Sequence, residues 1–273
     1  MDLIRAAILG IVQGLAEFLP ISSSGHLILV PALFGWDDQG LAFDVGLHLG
    51  TLLALLVYFW RDWYTMSING VRDLADHGVR YRAFTPESQL LWLIALGSVP
   101  AAVVGLLFND WIEENVRQPW VVAIALAVVA TFMLFADSLS KRTRAIEDVT
   151  VRDAVLIGLA QAAALIPGVS RSGATITAAL FRDFSRDAGA RFAFLLGTPA
   201  FVGAAALKAP DLAEMSGDET GQLAVGFVCS ALVGFAAIHF LLRYLRTRSL
   251  LPFIGYRYAV AVVTLVIGAI RIS

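Results

Sequence analysis

The chain predicts an all-α, polytopic membrane fold: six transmembrane helices plus two re-entrant helical hairpins, arranged as an inverted-topology repeat. Three observations carry this. The 273 residues are 58% hydrophobic and 15% charged, with a mean hydropathy of +0.76, whereas an ordinary soluble domain is about 25% charged. The charges cluster between apolar runs long enough to span a bilayer. Two further apolar regions, each broken by Pro, Gly and Ser, match one another at a fixed offset.

Residues 3–34 are apolar but interrupted by "FLPISSSGH". Proline removes a backbone donor and Gly and Ser loosen a helix, so each flanking piece is short for a full span. Irregular backbone at membrane depth is tolerated only inside protein or beside a water-filled cavity, which predicts a re-entrant helix–turn–helix. Spans follow at 41–60, 90–108 and 119–138, separated by the largest extramembrane segment, 61–89, where a short amphipathic interfacial helix is expected. Trp60 and Trp63 around Arg61 fit a membrane-interface belt. The second half repeats the order: a region at 152–183 broken by "IPGVSRSGA", then spans at 189–207, 222–242 and 252–270. The whole of 1–273 is read as one integral membrane domain, with repeats at 1–140 and 150–273.

The broken regions align without a gap at an offset of 148: Gly10 on Gly158, Gln13 on Gln161, Ser22 on Ser170, Ser24 on Ser172 and Gly25 on Gly173. "LGT" at 49–51 recurs at 196–198, one residue out of frame. Three spans per half is odd, so the second copy enters from the opposite face, as in many transporters. Loop charge gives the same answer independently. Arg61, Arg72, Arg80, Arg82, Lys141, Arg142, Arg144, Arg152, Arg182, Arg186, Arg191, Arg243, Arg246 and Arg248 fall in one set of loops. Asp37, Asp38, Asp110, Glu113, Glu114, Asp211, Glu214, Asp218 and Glu219 fall in the other, against only Arg117 and Lys208. The positive-inside rule places the basic set in the cytoplasm, both termini outside, and the two hairpins entering from opposite faces.

The net charge of −2 says nothing about nucleic acid, but no basic patch with interleaved aromatics occurs, so no nucleic-acid partner is expected. The lone Cys229 excludes an internal disulfide. No cleavable signal peptide is expected, because the apolar N-terminus runs straight into Gln13 and Glu17.

Hairpins from opposite faces bring "PISSSGH" and "PGVSRSG" together near the midplane. Arg171 offers a planar fork for phosphate oxygens. Ser170, Ser172 and Thr175 add hydroxyls, and the turn amides around Gly168 and Gly173 open a helix, which favours an anion. Ser22, Ser23 and Ser24 also sit at a helix start. His26 follows Ser23 by three residues, within reach on a helical turn, and Gln13 and Glu17 share one helix face. An anion pocket with a nucleophile, an acid/base and a carboxylate suits phosphoryl transfer. Plainer readings stand beside these. The serines bond carbonyls of their own helix. Arg171 is a structural partner of Glu17. His26 is an interhelical hydrogen-bonder. Asp44 and His48 either support the site or only pack. Gln161 is interhelical glue, and Arg182, Arg186 and Arg191 form a solvated cytoplasmic cap.

"QGLAEFLPISSSGH" and "PGVSRSGATIT" resemble the two signature segments of the undecaprenyl-diphosphate phosphatase, or bacitracin-resistance, family, and "FDVGLHLGTLLALLVYFW" and "FIGYRYAVA" also look familial. The resemblance covers essentially the whole chain. It implies an integral enzyme of the bacterial cytoplasmic membrane, opening to the outer side. Such an enzyme removes the terminal phosphate of a C55 isoprenyl diphosphate carrier for recycling in cell-wall synthesis. The family's acidic motif falls on Gln13 and Glu17, its serine and histidine on Ser23 and His26, and its arginine on Arg171. Ser22, Ser24, Gly168, Ser170, Ser172, Gly173 and Thr175 are then substrate-binding. A divalent cation, Mg²⁺ or Ca²⁺, is implied, with Glu17 as its ligand; Gln13 puts a two-carboxylate site in doubt. Ser23 attacks, with His26 or Glu17 taking its proton, or water activated at His26 attacks directly. The expected partners are the lipid substrate and membrane lipids, with a homodimer compatible with the sequence. The rival function is a lipid-carrier or solute transporter on the same repeat, which needs the anion pocket but no nucleophile.

Overall fold

The computed structural model describes the backbone of residues 2–37, 40–116, 118–213 and 217–272. Side chains are described at all of these except 41, 109, 110, 113, 114, 208–213, 217–219 and 267–272. The side chains of Asp38, Asp110, Glu113, Glu114, Arg117, Lys208, Asp211, Glu214, Asp218 and Glu219, which entered the loop-charge reasoning, lie outside the described residues.

Among the described residues the protein is all helical. The helices are α1 Leu3–Phe18, α2 Ser23–Phe34, α3 Leu41–Tyr58, α4 Trp60–His77, α5 Pro86–Asn115, α6 Pro119–Leu139, α7 Val151–Ala163, α8 Arg171–Phe181, α9 Arg186–Ala213, α10 Gly217–Leu245 and α11 Leu251–Ile272. Local chemistry sets several ends. Asp2 caps α1 by accepting from the Arg5 amide at 2.7 Å. α1 stops at Leu19, whose extended backbone is what the following Pro20 demands. α5 and α6 each begin on a proline, where no N–H is missed. A Thr150/Asp153 capping box starts α7.

Four segments are long and apolar enough to cross a membrane: Pro86–Phe108, Pro119–Leu139, Arg186–Leu207 and Thr220–Leu245. A fifth is counted if the pair Ala42–Tyr58 and Trp60–His77, bent by 70°, is taken together. All six expected spans fall on helices, but α3 is only 18 residues long and the described apolar part of α11 is Leu251–Val266. The bend after Tyr58 separates apolar α3 from amphipathic α4, which supplies the helix expected in 61–89. Exposed apolar side chains recur along the long helices, for instance Val99, Val103, Leu106 and Leu107 on α5 and Ile124, Val128, Phe132 and Phe135 on α6. So extensive an apolar surface suits lipid, not water.

The helix–turn–helix pairs α1/α2 and α7/α8 sit inside this frame. α1 packs on α10 and α3, α7 on α5, and α6 on α8 and α11. The two crossings are alike: a Cβ at Gly10 would collide with the Gly226 carbonyl, and one at Gly158 with the Gly97 carbonyl. Backbone contact of this kind is available only to glycine, and it brings the hairpins deep into the bundle.

Arg182, Arg186 and Arg191 are not merely a solvated cap. Arg182 pairs with Asp153 at 2.7 Å, beside Arg144 at 2.5 Å. Arg186 pairs with Asp137 at 2.5 Å, and Arg191 pairs with Asp62. Each aspartate lies far from its arginine in sequence, so local charge counting could not pair them. At the same end Asp73 of α4 accepts from the Thr85 N–H at 2.7 Å and from its hydroxyl at 2.8 Å, tying α4 to the start of α5. Those two donors, the N–H first, hold the Asp73 carboxyl below its ordinary value of 3.8.

Candidate active site

The two hairpin turns have the same geometry. Ser22 and Ser170 are N-caps with positive φ, 78° and 71°, a strained region for non-glycine residues. Each accepts through Oγ from the amide three residues on, Gly25 at 3.4 Å and Gly173 at 3.1 Å. Each hydroxyl also contacts the serine two residues later, Ser24 at 3.4 Å and Ser172 at 3.2 Å. The first helical residues are then Ser23 in one copy and Arg171 in the other.

These turns meet on a cavity of about 230 Å³ whose polar lining is Glu17, Ser23, Ser24, Asp44, His48, Ser170 and Arg171; Leu27, Ile28, Val45, Ile112 and Leu165 contribute an apolar wall. Glu17 is the hub. Its Oε2 accepts from Ser23 Oγ at 2.6 Å and Gln13 Nε2 at 3.0 Å, and lies 3.3 Å from His48 Nε2. Arg171 stacks over the Phe201 ring at 3.9 Å, and its Nη1 is buried without a hydrogen-bond partner among the described residues. A guanidinium held by its face keeps its N–H edge available for an anion. Among the described residues no ion pair within 4 Å joins Arg171 to Glu17, although both line this cavity.

The expected contact between Ser23 and His26 is also not formed. His26 Nδ1 lies 2.7 Å from the Ser22 carbonyl and Nε2 2.7 Å from the Tyr256 hydroxyl, so both ring nitrogens are engaged elsewhere. A helical i+3 spacing brings residues near one another but does not aim a ring. Thr175 donates to the Arg171 carbonyl at 2.7 Å, within its own helix. Ser172 donates to the Leu19 carbonyl at 3.2 Å, joining one turn to the other. Gly168 has φ +93°, with the Val122 carbonyl where a Cβ would stand. Gln161 is buried with neither amide atom hydrogen-bonded among the described residues, so the glue role is not seen.

Sequence reading missed Tyr256 and Arg257 as site residues. Arg257 is fully buried. It donates from Nη1 to Pro20 O at 3.2 Å and from Nη2 to Gly168 O at 3.0 Å and Val169 O at 3.1 Å. Its Nε donates to Leu126 O at 3.2 Å. One guanidinium thus holds both turns and α6, with carbonyl dipoles offsetting the cost of burying it. The available signal was a lone arginine in the apolar run "FIGYRYAVAVV".

Residues 6–263 match the family model described as bacitracin resistance protein BacA. Similar proteins include an undecaprenyl-diphosphatase of Pelotomaculum thermopropionicum, 43% identical over 99% of this chain and 98% of the relative. One from Geotalea daltonii is 45% identical over 97% and 98%, and one from Rubrobacter xylanophilus is 46% identical over 96% of each. With the match running through both hairpins, the cavity and α11, the chain belongs to the BacA bacitracin resistance family.

Proposed function

We propose that this chain is an undecaprenyl-diphosphate phosphatase, cleaving the terminal phosphate from the C55 isoprenyl diphosphate to leave the monophosphate and phosphate. The relatives bear the name of that activity over nearly their whole length. The observation that carries the chemistry is Ser23 Oγ at 2.6 Å from Glu17 Oε2, on a cavity whose lining also includes Arg171. An anion carrier needs the arginine but has no use for a serine hydroxyl held on a carboxylate, which disfavours the transporter reading.

In the proposed reaction the terminal phosphate lies against the Arg171 edge and the turn amides. Ser23 Oγ forms the new bond to phosphorus as the bridging P–O bond breaks and the isoprenyl monophosphate leaves. The serine proton passes to Glu17, the base its hydroxyl already touches. Water then hydrolyses the phosphoserine, with Glu17 returning the proton. His26 holds the Ser22 carbonyl and so the turn itself. Ser24 and Ser170 line the same cavity and would offer hydroxyls to the phosphate.

A divalent cation fits this lining in one form. Glu17 and Asp44 are its two carboxylates, and no cluster of three His, Cys, Asp or Glu side chains capable of holding a metal occurs among the described residues. That suits Mg²⁺, which is usually held by one or two carboxylates plus substrate phosphates, better than a preformed protein cage. Glu17, with Asp44 nearby, would hold it; when bound, the ion would neutralise charge on the phosphate oxygens.

The finer topology is part of the same proposal. The matched turns at offset 148 and the paired glycine crossings support an inverted repeat of six spans and two re-entrant hairpins. The basic loops then face the cytoplasm of a bacterial cell, and the cavity opens outward. Purified protein in detergent, given an isoprenyl diphosphate, tests the activity: free phosphate should appear, and fall on chelation. A purified, folded protein that releases none would overturn it.

A further inference from the structure

We infer that His48 is a positioning residue for the reaction, holding the Glu17 carboxylate against Ser23. The inference rests on the reading above that Glu17 receives the serine proton. His48 lies on α3, away from both hairpins, and lines the same cavity as Glu17 and Ser23. Its Nδ1 is 2.7 Å from the Asp44 carbonyl oxygen, one helical turn back. A carbonyl oxygen only accepts, so Nδ1 carries a hydrogen and the ring orientation is fixed. That orientation directs Nε2 at Glu17 Oε2, 3.3 Å away; a carboxylate oxygen also only accepts, so the contact that holds Glu17 is an N–H donated by Nε2 of the imidazolium form.

Glu17 needs such a hold. Its side chain has three rotatable bonds, and the reacting contact is a single oxygen, Oε2, facing Ser23 Oγ. Gln13 Nε2 reaches the same oxygen from one turn back on α1, which restrains it along the helix. His48 reaches it from a different helix, which restrains it sideways. The remaining neighbours complete the enclosure: Arg171 of α8 faces the same cavity, and the Phe201 ring of α9 lies 6.2 Å from the His48 ring. A histidine serving only helix packing would not turn its second nitrogen onto the one carboxylate oxygen that holds the nucleophile.

The test uses the full chain in detergent, with steady-state hydrolysis of an isoprenyl diphosphate and thermal melting as a check of folding. His48→Leu removes the Nε2 contact. It should lower kcat at least ~10-fold with KM within about 2-fold, since a small misplacement of a reacting group can cost on the order of 10²-fold. His48→Asn keeps a polar side chain too short to reach Glu17 and should fall with the leucine variant; it serves if leucine does not fold. His48→Gln places an amide N–H within reach of the carboxylate and should recover most of the lost kcat. Glu17→Gln is run in parallel. If folded His48→Leu and His48→Asn turn over like wild type while Glu17→Gln collapses, His48 has no such role and the reading of Glu17 stands. If Glu17→Gln also keeps its activity, the reading of Glu17 fails first. A folded His48→Gln as slow as the leucine variant overturns positioning, because an N–H donor would then not suffice.

Discussion

Ser23 and Arg171 occupy the same station in two copies of one turn. Each is the first residue of a short helix, each follows an N-cap serine with positive φ, and they stand 148 residues apart, the offset of the sequence repeat. In one copy that station carries a hydroxyl held on Glu17; in the other it carries a guanidinium stacked on Phe201. A helix start is where backbone N–H groups are unpaired, so both copies favour an anion there. In the proposed reaction the two copies of the turn divide the work, the Arg171 copy holding phosphate and the Ser23 copy attacking it.

Ser23→Ala should keep substrate binding, through Arg171 and the turn amides, while turnover collapses by more than the ~10²-fold typical of losing one catalytic hydrogen bond. Ser24→Ala should be milder. Acid quenching during turnover of terminally labelled substrate should trap phosphate on the peptide containing Ser23 in wild type and not in the variant. Unlabelled protein with an active Ser23→Ala would point instead to direct attack by water.

Arg171→Lys should lose most activity although the charge survives. An ammonium has no planar fork to present two N–H groups to phosphate, and it stacks less well on Phe201. Near-normal kcat/KM in a folded lysine variant would contradict phosphate recognition by Arg171.

Arg257→Met should destabilise the chain and slow it as well. It leaves the carbonyls of Pro20, Leu126, Gly168 and Val169 without their donor, and each orphaned buried group costs about 1–3 kcal/mol. Arg257→Lys should recover part of the melting temperature, since an ammonium can serve fewer of those carbonyls. Equal melting curves for the three proteins would show that the tie between the turns is dispensable.

Asp73→Asn should lower the melting temperature at neutral pH. Because Thr85 holds the Asp73 carboxyl below 3.8, the stabilisation is present above that pH and is lost as pH falls through the depressed folded value. The gap between variant and wild type should therefore narrow in acid. A gap that widens in acid would mean the sign is wrong.

In a chain with Cys229 replaced, single cysteines at Asn115 and Gly221 should react with an impermeant thiol reagent on intact cells. Cysteines at Arg72, Lys141 and Arg248 should not. Labelling that does not separate the two sets would break the proposed inverted topology.

Much of this protein was legible in its sequence because a bilayer leaves few choices. Long apolar runs must be helices, and breaks such as "FLPISSSGH" must be buried in protein. The polar residues Glu17, Ser23 and Arg171 stood out for the same reason: groups so costly in lipid need partners or a task. Which partner each one found was decided only by the tertiary structure. Spacing along a helix placed His26 within reach of Ser23, but the turn directs its ring to Ser22 and Tyr256 and leaves Glu17 on the hydroxyl. Arg257 gathers carbonyls from both turns, and His48 meets Glu17 across two helices. A hydrogen bond depends on direction and on atoms brought together from remote parts of the chain, whereas the hydrophobic pattern along one helix carries information only about that helix.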